Sequence, residues 1–291
     1  MNNKLKNAFV GAAFAASLSA CKVITPIPTQ DVEPEPLPPP PAEPLITQYY
    51  DIELRDKITL FTSEKFMNEL RETESLITQN PNDNYQHIIN VTINSPGGHV
   101  REGYRLLDAF EKSSNNFNFK CEEQASSMAA IVFIGATGTN RDAGPDCTIM
   151  IHQPYFTIYE PRDSFNFIAT TEYSALKPQY ELAKNDPNIQ SVVIKQPGAP
   201  DYKLSRAEIL NWFERLHKYR ETVKERLSET TFLNPNDIEI ILDNGNNYFS
   251  VESAAFAGMI DTINGAPPTS EHLQQGEILF CNNLPTLSLC A

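Results

Sequence analysis

Apolar and polar positions along the chain switch repeatedly between two periods. HIINVTINS (87–95) is a β-branched apolar run bounded by turn signals, as a buried strand should be. KITLFTS (57–63), FNFKCE (117–122) and CTIMIHQ (147–153) read as further strands. Between them the period lengthens. EKFMNELRETESLITQ (64–79) is amphipathic, and HVREGYRLLDAFEKS (99–113) spaces Val100, Tyr104, Leu107 and Phe110 at helical intervals. Met128 to Ala136 is an apolar helix entered at Ser126 and Ser127, and 204–232 predicts one long helix with Ile209, Trp212, Phe213, Leu216, Tyr219 and Val223 as its apolar positions. This alternation from about Asp51 onward predicts an α/β fold with a largely parallel sheet.

The first twenty residues do not fit that pattern. Lys4 and Lys6 precede an apolar stretch, Ala8 to Ala20, broken only by Gly11, Ser17 and Ser19. It is too short to span a bilayer, which takes about 20 residues, and reads as an export signal. Leu18-Ser19-Ala20-Cys21 resembles the lipobox of bacterial lipoproteins, which implies cleavage before Cys21 and acylation of its thiol. Lys22 rather than Asp follows, a pattern that in Gram-negative lipoproteins permits passage to the outer membrane. The expected location is the cell envelope, lipid-anchored and facing the periplasm. Residues 21–48 carry the proline-rich run ITPIPTQDVEPEPLPPPPAEP (24–44), whose fixed φ and missing donors favour extended polyproline II, a stalk between membrane and body. The expected body is 49–265, followed by a tail, 266–291.

Charge and cysteines narrow the setting. The formal net charge is −14, and removing Lys4 and Lys6 with the signal makes the chain more acidic still. Nucleic acid is not an expected partner, because it demands a basic patch. An exported chain sits where disulfides persist. Cys281 and Cys290 lie close together in the tail and are the first expected pair, with Cys121–Cys147 as the second. No CxxC spacing suggests zinc, no HExxH pair another metal site, and no Walker-type loop a nucleotide; no cofactor is expected.

Three short segments carry the candidate chemistry: INSPGG (93–98), QASSMA (124–129) and MIHQP (150–154). Acyl transfer needs a nucleophilic hydroxyl, a base for its proton and donors for an oxyanion. Ser127, at a helix start, sits among unpaired N–H groups and the positive end of the helix dipole. The N–H of Met128 follows it directly, Gly98 lets a second N–H approach, and His152 lies on the next strand.

These segments, in this order, resemble the Clp protease proteolytic subunit, of the ClpP/crotonase-like superfamily. The likeness extends over about 57–264. It implies a superhelical fold of repeated β-β-α units with a long handle-type helix, and a serine peptidase with Ser127 as nucleophile, His152 as base, and Gly98 and Met128 as oxyanion donors. Ser126 then has a packing role. NYFSVESAAFAGMIDTI (247–263) resembles the family's closing segment, and counting back from Phe249 places the third triad member at Asn246. Asn246 stands where the family has Asp; Asp243 is the alternative. Peptides or unfolded proteins are the implied substrates and a homo-oligomer the implied assembly. No ATPase partner is expected, since the periplasm has no ATP supply.

The resemblance is interrupted by a surplus at about 155–202, expected to be a lid, a specificity loop or a new interface. A non-catalytic peptide-binding or scaffolding lipoprotein is the second reading: Asn246 and the insert favour it, and retention of serine, histidine and glycine turn together opposes it. Acyl-CoA chemistry, known on the same fold, is disfavoured because an exported protein rarely meets CoA.

Overall fold

The computed structural model describes residues 46–79, 85–136, 138, 140–160, 163–194 and 202–290, the side chains of 156–172 excepted. The expected signal segment, Cys21 and the proline-rich run to 44 lie outside the described residues.

The body opens with β1 (Ile46–Arg55), α1 (Leu60–Gln79), β2 (Tyr85–Ser95), α2 (Val100–Lys112), β3 (Asn116–Ser126), α3 (Met128–Gly135), β4 (Asn140–Ala143) and β5 (Thr148–Ile151). β1, β2, β3 and β4 are parallel neighbours in one sheet. Its central strands alternate: Ile89, Val91, Ile93, Phe117, Phe119 and Cys121 are buried on one face, while Asn90, Thr92, Asn94, Asn118 and Lys120 make the other face polar. β1 starts at Ile46, inside the segment expected to be linker.

One expected strand is a helix. Of 57–63, only Ile58 makes a bridge, to Gly98, and α1 begins at Leu60. Thr59 and Thr62 decide this. The Thr62 hydroxyl accepts from the Thr59 N–H at 2.8 Å and the Thr59 hydroxyl from the Thr62 N–H at 3.2 Å, a reciprocal cap that starts the helix.

β3 is long enough to serve two partners. Asn118 to Cys121 pair with β4, and Gln124 to Ser126 pair with β5. The Cys121–Cys147 disulfide sits at that change of partner. β5 pairs in turn with the antiparallel β10 (Asn247–Phe249).

The surplus segment folds. It comprises the antiparallel pair β6 (Tyr155–Glu160) and β7 (Asp163–Glu172), α4 (Tyr173–Asn185), and the antiparallel pair β8 (Ser191–Ile194) and β9 (Tyr202–Ser205). Tyr173, Leu176, Tyr180, Ala183, Val192, Ile194 and Leu204 form a core of their own with Ile209, Phe213 and Leu216 of α5 (Arg206–Thr230). Ser205 caps α5 in a capping box with Glu208. Further along the same helix, Val223 and Leu227 belong to the main core. α5 therefore joins the two cores through one rigid rod.

After α5 come α6 (Pro235–Asp243), β10, α7 (Val251–Phe256), β11 (Thr262–Ile263) and α8 (Ser270–Asn283), then a 3-10 turn, Ser288–Cys290. β11 extends the sheet beside β4. Ser250 caps α7, and Gly258, at φ 73°, follows its end. The tail is more ordered than its sequence suggests. Thr269 caps α8 in a capping box with His272, Phe280 packs on Phe249 and Phe256, and Cys281–Cys290 closes the last turn.

Candidate active site

The site is built where β3 ends and α3 begins. Ser126 is the last residue of β3, buried and paired with Met150. Ser127 then leaves the strand at φ 56°, ψ −125°, outside the ordinary regions for a residue with a Cβ. Its N–H donates to the carbonyl of Met150 at 2.7 Å. Ser127 holds the N-cap position of α3, but its side chain makes no cap hydrogen bond. The Oγ is instead 2.7 Å from Nε2 of His152. Strand register explains this proximity: Ser127 is tied to Met150, and His152 stands two residues further along the same chain.

Met128 is the first residue of α3, and its N–H is one of the helix's leading donors. Gly98, expected as a second donor, lies on the SPGG turn. The turn's shape comes from Ser95, whose hydroxyl accepts from the Gly97 N–H at 3.1 Å and donates to the Asp56 carbonyl. The turn is bridged to Ile58: Ile58 N–H donates to Gly97 at 2.7 Å, and His99 N–H donates to Ile58 at 2.8 Å. That ladder does not use the Gly98 N–H.

The two glycines divide their work differently from the expectation. A Cβ at Gly98 would lie 2.1 Å from the Ile58 carbonyl oxygen, so Gly98 is required by the neighbouring backbone. A Cβ at Gly97 would lie 2.4 Å from Ser126 O, 2.7 Å from Ser127 Cβ and 2.8 Å from Met128 N. Gly97, not Gly98, is the glycine that makes room for the nucleophile turn.

His152 is held from several sides. Its Nδ1 is 2.6 Å from the carbonyl oxygen of Gln153, and the Tyr155 ring stacks on the imidazole at 5.3 Å between centroids. Nδ1–H donating to that carbonyl leaves Nε2 as the acceptor for the Ser127 hydroxyl. Asn246 lies exposed, just before β10, whose register pairs Asn247 with Ile151. Among the described residues no hydrogen bond joins Asn246 to His152. Asp243 is turned to Arg220, its Oδ1 accepting from Nη2 at 2.8 Å. The structure thus brings together Ser127 and His152, with Met128 next in the chain and Gly97 against the serine turn; it sets Gly98 against Ile58 and leaves Asn246 and Asp243 without a hydrogen bond to His152 among the described residues.

Sequence reasoning passed over Ser95, Gly97, Gln153 and Tyr155. The signal for the first two was present in S-P-G-G, where a serine hydroxyl two residues before an N–H favours a side-chain turn. Gln153 stood inside MIHQP with no role of its own assigned, and nothing in the sequence marked Tyr155. Cys121 is disulfide-bonded and fully buried, which removes it as a nucleophile.

The Clp protease family model matches residues 46–171, a span that contains Gly98, Ser127, Met128 and His152 and excludes Asn246. An ATP-dependent Clp protease proteolytic subunit 2 of Bacillus licheniformis is 37% identical over 103 residues, covering 35% of this chain and 53% of that protein. A chloroplastic ATP-dependent Clp protease proteolytic subunit 1 of Arabidopsis thaliana is 32% identical over 113 residues, covering 39% of this chain and 53% of that protein. The chain spans about half the length of these curated relatives. A ClpP protease catalytic domain from Plasmodium falciparum aligns in structure over 76% of this chain and 88% of its own, with 19% identity and a TM-score of 0.48. The chain is similar to Clp protease proteolytic subunits through the part that carries its serine and histidine.

Proposed function

We propose that this chain is an ATP-independent serine peptidase of the ClpP-like type, acting on peptides or unfolded proteins in the cell envelope. The observation that carries the reading is the 2.7 Å contact between Ser127 Oγ and His152 Nε2. Nε2 removes the hydroxyl proton as Oγ attacks the scissile carbonyl. The N–H groups of Gly98 and Met128 stabilise the tetrahedral oxyanion. Imidazolium then protonates the leaving amine, and water, deprotonated by the same imidazole, releases the acyl group from Ser127.

The spiral of β-β-α units belongs to this reading, as does assembly into a homo-oligomer. So does the location: a lipid anchor on Cys21 and a proline-rich stalk would hold the body in the periplasm, at the outer membrane. The segment Lys4–Cys21 supports it, as do two disulfides in a chain that uses Cys121, Cys147, Cys281 and Cys290 for them.

The test is hydrolysis of a reduced, unfolded protein by the full chain, without nucleotide or added ATPase. Cleavage that disappears in Ser127→Ala and His152→Ala but persists in Ser126→Ala is the expected result. Binding of the unfolded protein with no cleavage by a well-folded wild type would instead establish a scaffold.

A further inference from the structure

The base of a serine peptidase needs a partner at its second nitrogen, to fix the tautomer and to hold the ring as charge develops. Here the main-chain carbonyl of Gln153 lies at Nδ1, at 2.6 Å. A carbonyl next in the chain to the histidine can swing with its own peptide plane, so something must hold that plane. The Gln153 side chain is placed to do so. It is 2% exposed. Its Oε1 accepts from the Ser174 N–H at 3.1 Å and its Nε2 donates to the Ser174 hydroxyl at 3.1 Å. Ser174 is the second residue of α4, so Gln153 occupies one of the donors that a helix N-terminus leaves open. Beside it, the Tyr173 N–H donates to Pro154 O at 3.4 Å, and Tyr155 pairs with Glu172. The root of the insert is thereby closed directly onto the peptide that faces His152.

Resting on the peptidase reading above, we propose that Gln153 is a positioning residue. Its carbonyl orients the imidazole at Nδ1, and its amide, clamped on Ser174, ties that carbonyl to the inserted subdomain. The insert is then part of the catalytic machinery rather than an ornament on it, and Asn246 is dispensable for proton transfer.

The test is fluorophosphonate inactivation kinetics of the full chain, separating the inactivation rate kinact from the binding constant KI. Gln153→Met keeps size and burial but removes both bonds to Ser174. Its kinact is expected to fall about tenfold with KI unchanged, since orientation of the base is lost and probe binding is not. Gln153→Glu restores two acceptors for the Ser174 N–H and hydroxyl and should return kinact to near the wild-type value. Asn246→Ala should stay within about twofold of wild type. A merely structural role for Gln153 would lower melting temperature without that split or that rescue. If Gln153→Met does not fold, Ser174→Ala, which removes only the hydroxyl, should still lower kinact about threefold. Folded Gln153→Met or Ser174→Ala with wild-type kinact, or a larger fall in Asn246→Ala, would overturn the inference. An unlabelled wild type would overturn the peptidase reading and this inference with it, and is distinct from a labelled wild type indifferent to Gln153.

Discussion

The backbone N–H of Ser127 donates to the carbonyl of Met150 at 2.7 Å, so the last contact of the β3–β5 ladder is also the one that sets the Ser127 hydroxyl beside the His152 imidazole. Serine and histidine come from different strands, and their separation follows from strand register rather than from any loop. Changes that disturb that register, or the turn that lets Ser127 leave it, should therefore affect chemistry before they affect the rest of the fold.

Gly97→Ala is the sharpest of these. The added methyl meets Ser126 O, Ser127 Cβ and Met128 N at 2.4 to 2.8 Å, and φ is +84°. Ser127 and the Met128 N–H must move together, and in the proposed peptidase the loss of one oxyanion donor alone costs about 100-fold or more. Labelling of Ser127 should fall at least that far while circular dichroism stays native; a variant within tenfold of wild type would show that the turn has slack.

The two disulfides should differ in weight. Cys121–Cys147 closes a separation of 26 residues and sits in the core at the branch of β3, whereas Cys281–Cys290 closes 9 near the chain end. The longer closure removes more freedom from the unfolded chain, and native bridges of this kind contribute about 2–4 kcal/mol. Cys121→Ala/Cys147→Ala should lower the denaturation midpoint more than Cys281→Ala/Cys290→Ala, and should slow labelling as well. The reverse order in denaturant titrations would contradict this account.

Arg220 supplies a case where burial misleads. It is 1% exposed, pairs with Glu239 and Asp243, and lies 4.8 Å over the Tyr173 ring, so it resembles a keystone. Its Nε and Nη1 have no hydrogen-bond partner, and Asp243 is largely exposed. Removing the guanidinium leaves Asp243 to water and Glu239 to Lys224, whose Nζ is 2.8 Å from its buried Oε2, so the 3–5 kcal/mol cost of breaking a fully buried pair does not apply. Arg220→Met should destabilise by less than about 1.5 kcal/mol in chemical denaturation; a loss of 3 kcal/mol or more would show the cluster to be essential.

Asp261 gives the pH dependence. Burial raises its pKa, but bonds to the Arg141 guanidinium and N–H outweigh that and hold the carboxyl below the usual range. A folded pKa below the unfolded one, about 3.9 for Asp, stabilises fully above that value and progressively less as pH falls through the folded one. Asp261→Asn should therefore lose stability relative to wild type at neutral pH and converge with it under strongly acid conditions. Parallel curves down to acid pH would contradict the assignment.

Much of this was legible in the sequence, and the parts that were not share a cause. Periodicity located β2, α2, α3 and α5, because each buries a face or both faces and the pattern records burial. It placed a strand over 57–63 because Ile58, Leu60 and Phe61 look like one, while the outcome turned on two threonine hydroxyls capping α1. The tail hid α8 for a similar reason: only Gly276 and Phe280 of that helix are buried, too few to print a period. The pairing of Ser127 with His152 was readable because the segments that carry them follow one another in a fixed order. Gln153 was not, because its meaning depends on Ser174, which the fold brings to it across the β6–β7 hairpin.

The central claim is that Ser127 is an activated nucleophile. The most direct measurement is fluorophosphonate labelling of the full chain followed by peptide mass mapping. The account predicts one adduct, on Ser127, absent from Ser127→Ala and His152→Ala and present in Ser126→Ala and Asn246→Ala. An adduct on another residue, or labelling that survives His152→Ala unchanged, would contradict it.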